Sequence, residues 1–314
     1  MTTDETLTAD LDWLRDHRHL TGPTLYRYAS VYKQFALWLG HCPLGHVTAD
    51  TIEAFIQRPR SGGRMPKPAT SSTEATVLRS LFNRLTLKGS VPANPALLVR
   101  GPKVRRRNPK PLEDHVWRVL WGSCEDDAER LFLGLGCFLG LRRAEIASLE
   151  VGNVNARTQQ LVGFVRKGGG DDVLPYSDVC DVLSEHLAFD GAAEFPAFLA
   201  RIVAEREGRR FVLPWGDLVA VHGPTTYHAR PVGMLDPNQL NRRMAAMCER
   251  AGLVHLTPHQ LRHTFVTNLL RCGVPLEIVQ RLANHSDPAV TMGYAKVSAS
   301  ALKNWQRTQV NRHG

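Results

Sequence analysis

The chain has 314 residues, 43% of them hydrophobic, which is enough for a sizeable core and makes two domains a better expectation than one. We expect neither a membrane span nor a secretory signal, because no run of about 18 apolar residues occurs and residues 1–10 are polar and acidic. The net charge of +9 lies entirely in the N-terminal third: residues 1–112 hold 17 basic and 8 acidic residues, and the remainder holds 22 of each. This asymmetry fits a polyanion bound mainly by that third, although a merely soluble basic domain would look the same.

The six cysteines lie far apart and form no C-x-x-C pair. This spacing predicts reduced thiols in a cytoplasmic protein rather than a zinc site or a disulfide scaffold. The sequence has no Walker-type or dinucleotide-binding glycine pattern, so we expect no nucleotide cofactor, and we also expect no metal. The cysteines are Cys42, Cys124, Cys137, Cys180, Cys248 and Cys272.

Hydrophobic periodicity predicts that residues 1–100 are helical, with helices beginning by about Ala9. Stop and cap signals support the boundaries, since Gly40 and Gly89 each follow a helix and Thr48 caps another. We interpret the aromatic residues on the first well-patterned helix as core rather than as a platform for stacking bases. The predicted helices are Thr24–Leu39, Ala49–Ile56 and Thr70–Lys88.

Two clusters of basic residues lie in loops. The first follows Ile56 in a Gly/Pro-rich stretch, and the second lies between Pro102 and Pro111, in a segment that we interpret as an interdomain linker at residues 101–112. A run of charge is usually a solvated surface, but five cations within eight residues, beside a basic domain, favour contacts with phosphate groups. The predicted phosphate contacts are Arg58, Arg60, Arg64, Lys67, Lys103, Arg105, Arg106 and Arg107.

Residues 113–314 show a mostly helical pattern with one short region of strands. Gln160–Val165 and Val173–Tyr176 are predicted as two strands, joined by a glycine-rich hairpin that carries Lys167 at its tip. Residues 207–236 have no regular pattern. The predicted helices are Ala128–Leu149 (one long helix or a pair), Asp181–Leu187, Ala197–Arg206, Gln239–Ala251, Gln260–Arg271, Leu276–Ala283 and Pro288–Val297.

Four local features of this second part can carry chemistry. Taken singly, each has an ordinary interpretation as a surface arginine, a solvated loop lysine, a capped helix or a core tyrosine. Together they suggest a single site. The features are GLRRAE at residues 140–145, Lys167, TPHQLRHT at residues 257–264, and ANH at residues 283–285 followed by Tyr294.

The TPHQLRHT segment predicts an anion site at the start of a helix. Thr257 and Gln260 have the spacing of a capping box. His259 and Arg262 are three residues apart, so their side chains lie on one face of the first turn. There, backbone amides and the helix dipole also favour an anion.

These residue types suit the cleavage of a phosphodiester. Arg142 and Arg262 are planar, permanently charged groups that can bind phosphate oxygens as negative charge builds on them during attack. Tyr294 would then be the nucleophile. Because a phenol is weakly acidic, it needs activation by the guanidiniums or by a base such as His259.

In order and spacing, these motifs resemble those of the tyrosine recombinases, the family that includes phage integrases and Xer-type resolvases. The resemblance covers roughly Ala9 to Val297, since the N-terminal third resembles the family's helical core-binding domain. It implies a mainly α fold with a small β-sheet, in which an α+β catalytic domain and the core-binding domain form a C-shaped clamp around duplex DNA. The implied boundaries are 1–100 for the core-binding domain, 101–112 for the linker and 113–314 for the catalytic domain.

The resemblance also implies a role for each residue. Tyr294 attacks the phosphodiester to give a 3′-phosphotyrosine and a free 5′-hydroxyl, with His259 as the candidate base. Lys167 protonates the leaving 5′-oxygen, and His285 donates a hydrogen bond to the phosphate. The implied catalytic set is Arg142, Lys167, His259, Arg262, His285 and Tyr294.

Three neighbouring residues are expected to support the site rather than react. Glu145 is expected to orient an arginine or His259, while His263 and Thr264 are expected either to support the residues that react or to be structural. The sequence departs from the family at one turn, where Ala283-Asn284 replaces the usual Leu-Gly before the histidine. Since asparagine tolerates the left-handed conformation that glycine often supplies there, we expect the turn to be kept.

For partners, the resemblance implies double-stranded DNA with a specific recombination site and a homotetramer on that DNA, working through a Holliday junction. It also implies a monomer in solution, no membrane, and an accessory directionality factor as an additional partner. The tail Ser298–Gly314 is expected to be helical and to dock on a neighbouring subunit.

Three alternatives stay open: a type IB topoisomerase, a non-catalytic DNA-binding protein, and a metal-dependent nuclease, which the lack of clustered carboxylates disfavours. The DNA target, and a role in integration, excision or resolution, cannot be read from the sequence.

Overall fold

The computed structural model describes residues 2–18, 22–103, 110–164, 173–205, 237–285, 287, 290–292 and 294. The chain divides into two compact units, Met1–Arg106 and Arg107–Gly314, each with its own hydrophobic core. No helix within the described ranges is long and apolar enough to cross a membrane. All six cysteines are unpaired.

The described part of the first unit is helical, as predicted. The core forms where three phenylalanines meet edge to face, with ring centroids 4.9 Å apart for Phe35 and Phe55 and 6.3 Å apart for Phe35 and Phe82. Tyr32 and Phe35 are fully buried, which confirms their interpretation as core residues. The helices are α1 (Thr3–Arg18), α2 (Gly22–Leu39), α3 (Ala49–Gln57) and α4 (Pro68–Leu87).

A buried polar network fastens α1 to the rest of this unit. The Asp10 carboxylate accepts hydrogen bonds from the Tyr32 hydroxyl (2.7 Å) and from Arg84 Nε (2.8 Å), and Arg84 Nη2 also donates to the Tyr32 oxygen (2.9 Å). Burial raises the pKa of Tyr32, and the adjacent Asp10 charge raises it further, so the hydroxyl stays a donor. Since Asp10 is 1% exposed, its two partners replace the hydrogen bonds that water would otherwise make to the carboxylate.

The structure corrects the prediction for two of the basic residues after α3. Both Arg58 and Arg60 pair with Glu74 on α4, at 3.3 and 2.7 Å, and the side chain of Arg58 is only 10% exposed. Arg58 also lies over the Phe55 ring at 3.6 Å from its centroid. These two arginines therefore hold a loop to a helix. Three other residues of the same prediction, Arg64, Lys67 and Lys103, are exposed.

The second unit combines helices with a small sheet. Its core surrounds Trp117 of the first helix, whose ring lies 5.4 Å from that of Phe138 and 5.1 Å from that of Phe189. The sequence pattern did not predict this first helix. The helices are α5 (Asp114–Gly122), α6 (Asp127–Cys137), α7 (Arg143–Ser148), α8 (Tyr176–Leu187), α9 (Phe195–Ala204), α10 (Pro237–Arg250), α11 (Pro258–Arg271) and α12 (Leu276–Leu282).

Three two-residue strands form one antiparallel sheet in the order β1 (Val154–Asn155), β2 (Gln160–Leu161) and β3 (Leu174–Pro175). The two predicted strands are β2 and β3, and both are shorter than predicted. β3 ends at Pro175 because Tyr176 already begins α8. The first strand was not predicted. The hairpin tip between β2 and β3, with Lys167, lies outside the described residues, as do residues 207–236.

Glycines let α6 approach α11 closely enough to bring the motifs together. A side-chain carbon at Gly136 would lie 2.8 Å from Leu261, and one at Gly140 would lie 2.2 Å from the Phe265 ring. Gly140 also has a φ of +64°, which ends the long apolar segment and separates α6 from α7. The predicted Ala128–Leu149 segment is thus a helix pair.

We expect Gly140→Ala to lower the free energy of unfolding by about 3 kcal/mol, because the new methyl group would clash with Phe265 and strain the positive φ. Urea unfolding of the full chain measures the change. Gly152→Ala is the matched control, since nothing lies within 4 Å of that position, and it should cost less than about 1 kcal/mol. Equal costs for the two variants would contradict the close packing described here.

Candidate active site

The first turn of α11 has the predicted cap. The backbone N–H of Thr257 donates to Gln260 Oε1 at 2.9 Å, and Pro258 occupies the first helical position. His259 is exposed at this helix end, and Arg262, one turn further along, is 1% exposed. The cap therefore starts the helix where it can present one polar ring outward and one guanidinium inward.

The Arg262 guanidinium is held by backbone carbonyls from two other parts of the unit. Nη1 donates to Gly140 O, which precedes α7, at 2.5 Å. Nη2 donates to Ala283 O, at the end of α12. A buried guanidinium with such fixed partners cannot rotate freely, so its plane is set before any ligand arrives.

The Arg142 side chain is oriented in the same manner. Its Nη1 donates to Glu145 Oε1 at 2.7 Å, and its Nη2 donates to Asn284 O at 2.8 Å. The other oxygen of Glu145 accepts the backbone N–H of Arg142 at 2.7 Å. Glu145 thus orients an arginine, as the sequence predicted, and the Arg142 side chain remains 27% exposed.

The turn after α12 carries the histidine. Asn284 has a φ of 45°, so asparagine does take the left-handed conformation expected in place of glycine. The backbone N–H of His285 donates to Gln280 O at 3.1 Å, and His285 Nδ1 lies 2.8 Å from Thr291 Oγ1. These bonds fix both the turn and the imidazole.

Tyr294 lies among the histidines and is 2% exposed. Its ring is stacked on His285 with centroids 6.0 Å apart, and its hydroxyl is hydrogen-bonded to Nδ1 of His263. The His263 ring in turn packs edge to face against the His259 ring, with the two ring centroids 4.3 Å apart. The histidine hydrogen-bonded to the phenol is thus His263, for which the sequence predicted a supporting or structural role. Its spacing of four residues from His259 is the signal that could have identified it.

Burial and positive charge keep the three histidines neutral. Burial, together with the charges of His259 and Arg262, lowers the pKa of His263 to about 4, and burial together with the Arg262 and Arg142 guanidiniums lowers that of His285 to about 3. Partial desolvation of the His259 ring, which still reaches solvent, and the same two guanidiniums lower the pKa of His259. Burial raises the pKa of Tyr294 to about 12, although the arginines oppose this shift.

Five residues of the predicted catalytic set lie together in the structure. The sixth, Lys167, lies outside the described residues. Within the described ranges, no group of three or more His, Cys, Asp or Glu side chains could hold a metal ion. Thr264 is buried and structural, since its hydroxyl accepts the Leu112 N–H at 2.8 Å and donates to Gln260 O at 2.9 Å. The site as a whole offers two guanidiniums, neutral imidazoles and a phenol, which suits an anionic substrate attacked by a tyrosine.

A buried tyrosine beside two fixed arginines, in a helical unit with a small sheet, defines the class of tyrosine-dependent DNA strand transferases. Residues 119–301 match the phage integrase family, and the chain belongs to this family. It is 28% identical over 290 residues to a tyrosine recombinase of Pseudothermotoga lettingae, covering 91% of each chain. It is 29% identical over 280 residues to tyrosine recombinase XerD of Caulobacter vibrioides, covering 86% of this chain and 83% of the relative.

The fold is also that of solved integrase structures. A lambda integrase fragment (75–356), in a dimer bound to a COC′ core site, matches with a TM-score of 0.69 at 18% identity, over 92% of this chain and 97% of that one. The Tn1549 transposon integrase in complex with a circular intermediate DNA matches with a TM-score of 0.65 at 15% identity, over 94% and 95%. The mainly α architecture with a small sheet is thereby confirmed.

We expect the neutral His285 to make stability depend on pH. Because its pKa in the folded chain (about 3) lies below the ordinary 6.5, the unfolded chain binds the proton first as the pH falls. The stabilisation is therefore complete above pH 6.5 and is lost towards pH 3, at roughly 1 kcal/mol per pH unit for this partly buried ring.

The measurement is the free energy of unfolding between pH 7 and pH 5. His285→Asn should flatten its slope by roughly 1 kcal/mol per pH unit. His115→Asn replaces a histidine whose side chain is 73% exposed, and this variant should keep the slope of the unmodified protein. The same slope in all three proteins would contradict a buried neutral His285.

Proposed function

We propose that this protein is a site-specific DNA recombinase that cleaves and rejoins DNA through a 3′-phosphotyrosine formed on Tyr294. The observation that carries the proposal is the convergence of Arg142, Arg262 and the Tyr294 phenol at one site. Family membership supports the reaction class. The P–O5′ bond breaks as the P–O bond to Tyr294 forms, so the phosphotyrosine ester retains the bond energy and a 5′-hydroxyl can reverse the step without ATP.

The two arginines bind the phosphate and stabilise its developing charge. Arg262 is buried with its plane fixed, and Arg142 is partly exposed with its plane fixed by Glu145. Donors oriented before the substrate arrives need no reorganisation in the transition state, which is the main source of catalysis by electrostatics. His285 donates a further hydrogen bond to the phosphate, and Lys167 protonates the leaving 5′-oxygen.

Strand exchange requires more than one copy of the chain. We propose a homotetramer that assembles on a double-stranded recombination site and works through a Holliday junction, from a protein that is monomeric in solution and cytoplasmic. Lambda integrase, to which this chain is similar in fold, has been solved as a tetramer bound to a Holliday junction (TM-score 0.68, 17% identity). An accessory directionality factor is an additional proposed partner. The tail Ser298–Gly314, proposed to dock on a neighbouring subunit, lies outside the described residues.

The N-terminal unit is proposed to hold the DNA through phosphate contacts, as a core-binding domain (1–100) joined by a linker (101–112) to the catalytic domain (113–314). Arg64, Lys67 and Lys103 are exposed and suit such contacts. Arg105, Arg106 and Arg107 lie outside the described residues. Arg58 and Arg60 are not included, because they are paired with Glu74.

Tyr294→Phe should abolish the covalent protein–DNA adduct while changing DNA affinity by less than about threefold, because only the nucleophilic oxygen is removed. The substrate is a nicked duplex, selected by binding to the Tyr294→Phe protein from a random-sequence library. Denaturing gels then report the adduct. Tyr26→Phe, at a 68% exposed tyrosine of the first unit, is the control and should form it normally. An undiminished adduct in Tyr294→Phe would overturn the proposed function.

Replacing Arg105, Arg106 and Arg107 by glutamine should weaken binding to all duplexes. It should also reduce the slope of log affinity against log salt concentration by about three. A control variant removes three arginines that are already paired with carboxylates, and it should retain most of the affinity. These control residues are Arg15, Arg118 and Arg201. If both triple variants behaved alike, the linker would not be a specific phosphate-binding segment.

A further inference from the structure

We propose that His263, rather than His259, is the residue that accepts the Tyr294 proton when the DNA strand is cleaved. The inference rests on the proposed function, because it assigns a base to the same reaction. It departs from the role that the family resemblance implies for His259. Its basis is the hydrogen bond between the phenol oxygen and His263 Nδ1, which puts this imidazole in direct contact with the nucleophilic atom.

The geometry distinguishes the two histidines. His259 is exposed at the start of α11, on the side from which solvent or substrate would approach. Its ring packs edge to face against the His263 ring, with centroids 4.3 Å apart. His263 lies one turn further along the same helix, between that ring and the buried Tyr294. A proton leaving the phenol therefore meets His263 first, and His259 is free to act on the phosphate.

Burial and the charges around His263 explain why this ring is a weak base before DNA binds. Burial lowers the pKa of His263, and His259 and Arg262 on α11 lower it further, to about 4, so the ring is neutral and can accept the phenol O–H. From other elements, His285 and Arg142 also face this cluster. Since no carboxylate is among the causes of these shifts, positive charge dominates at the site.

A bound phosphodiester would change this balance, because its negative charge offsets that of the arginines. The pKa of His263 then rises towards its ordinary value, and the ring becomes a stronger base only when substrate is in place. As the Tyr294 oxygen bonds to phosphorus, its proton passes to Nδ1, and the bond to the 5′-oxygen breaks as Lys167 supplies that oxygen with a proton. In the rejoining step, the 5′-hydroxyl attacks phosphorus and returns its proton to Lys167, while the imidazolium returns its proton to the departing phenol oxygen.

The test separates proton transfer from hydrogen bonding. In His263→Asn, an amide oxygen can lie near the former Nδ1 position and accept the same hydrogen bond, but it cannot take a proton at neutral pH. The probe is the selected nicked duplex with a bridging 5′-sulfur at the scissile phosphate, so that leaving-group protonation does not limit the rate. Single-turnover adduct formation is measured between pH 5 and pH 8.

We expect His263→Asn to slow adduct formation by about 100-fold or more, to lose the fall in rate at acidic pH, and to bind the duplex within about threefold of the unmodified protein. His255→Asn, at an exposed histidine just before α11, should behave as the unmodified protein. A rate within threefold for His263→Asn would overturn the inference. So would an acidic limb that disappears in His259→Asn and persists in His263→Asn.

A second measurement covers the case in which His263→Asn folds poorly. Replacing the Tyr294 ring by a fluorinated, more acidic tyrosine should make the rate of the otherwise unmodified protein less dependent on pH at the acidic end, because a more acidic phenol needs less help from a base. An unchanged profile would count against His263. Absence of any Tyr294-dependent adduct in the unmodified protein would instead refute the proposed function.

Discussion

The site depends on one buried charge. Arg262 is 1% exposed, and a guanidinium at that depth would be costly without polar partners. Gly140 O and Ala283 O accept two of its hydrogen bonds. These two carbonyls come from the loop before α7 and from the end of α12, so the cost of burying one side chain is offset only when three separate parts of the chain have come together. Correct folding of the unit and assembly of the site are therefore the same event.

Close packing of α6 against α11 makes that event possible. At Gly136 and Gly140 any side chain would meet Leu261 or Phe265, and the backbone of α6 lies against α11 because neither position carries one. The glycine at 140 also directs its carbonyl to Arg262 through its left-handed conformation. The backbone conformation that glycine allows at position 140 thus helps to fix the orientation of the Arg262 guanidinium, about 120 positions further along the chain.

Much of this could be predicted from the sequence, because the decisive signals are local. The capped start of α11 could be assigned from local spacing, whereas the arginine after Gly140 and the tyrosine after the ANH segment were recognised because the order of the motifs resembles that of a known family. The pairing of Arg58 with Glu74 could not, since the partner is 16 residues away and a basic loop has the same pattern in either case. Nor could β1, which has no glycine-rich hairpin beside it of the kind that marked β2 and β3 in the sequence. His259 and His263 share a helix face, and only the position of Tyr294 decides which of them it contacts.

The turn after α12 also ties the two arginines of the site to one another. Ala283 O accepts a hydrogen bond from Arg262, and the next carbonyl, Asn284 O, accepts one from Arg142. Consecutive Cα atoms in a polypeptide lie about 3.8 Å apart whatever their side chains. The two guanidiniums are therefore anchored to acceptors on neighbouring residues of one short turn. A substitution that shifted this piece of backbone would displace both arginines together rather than one alone.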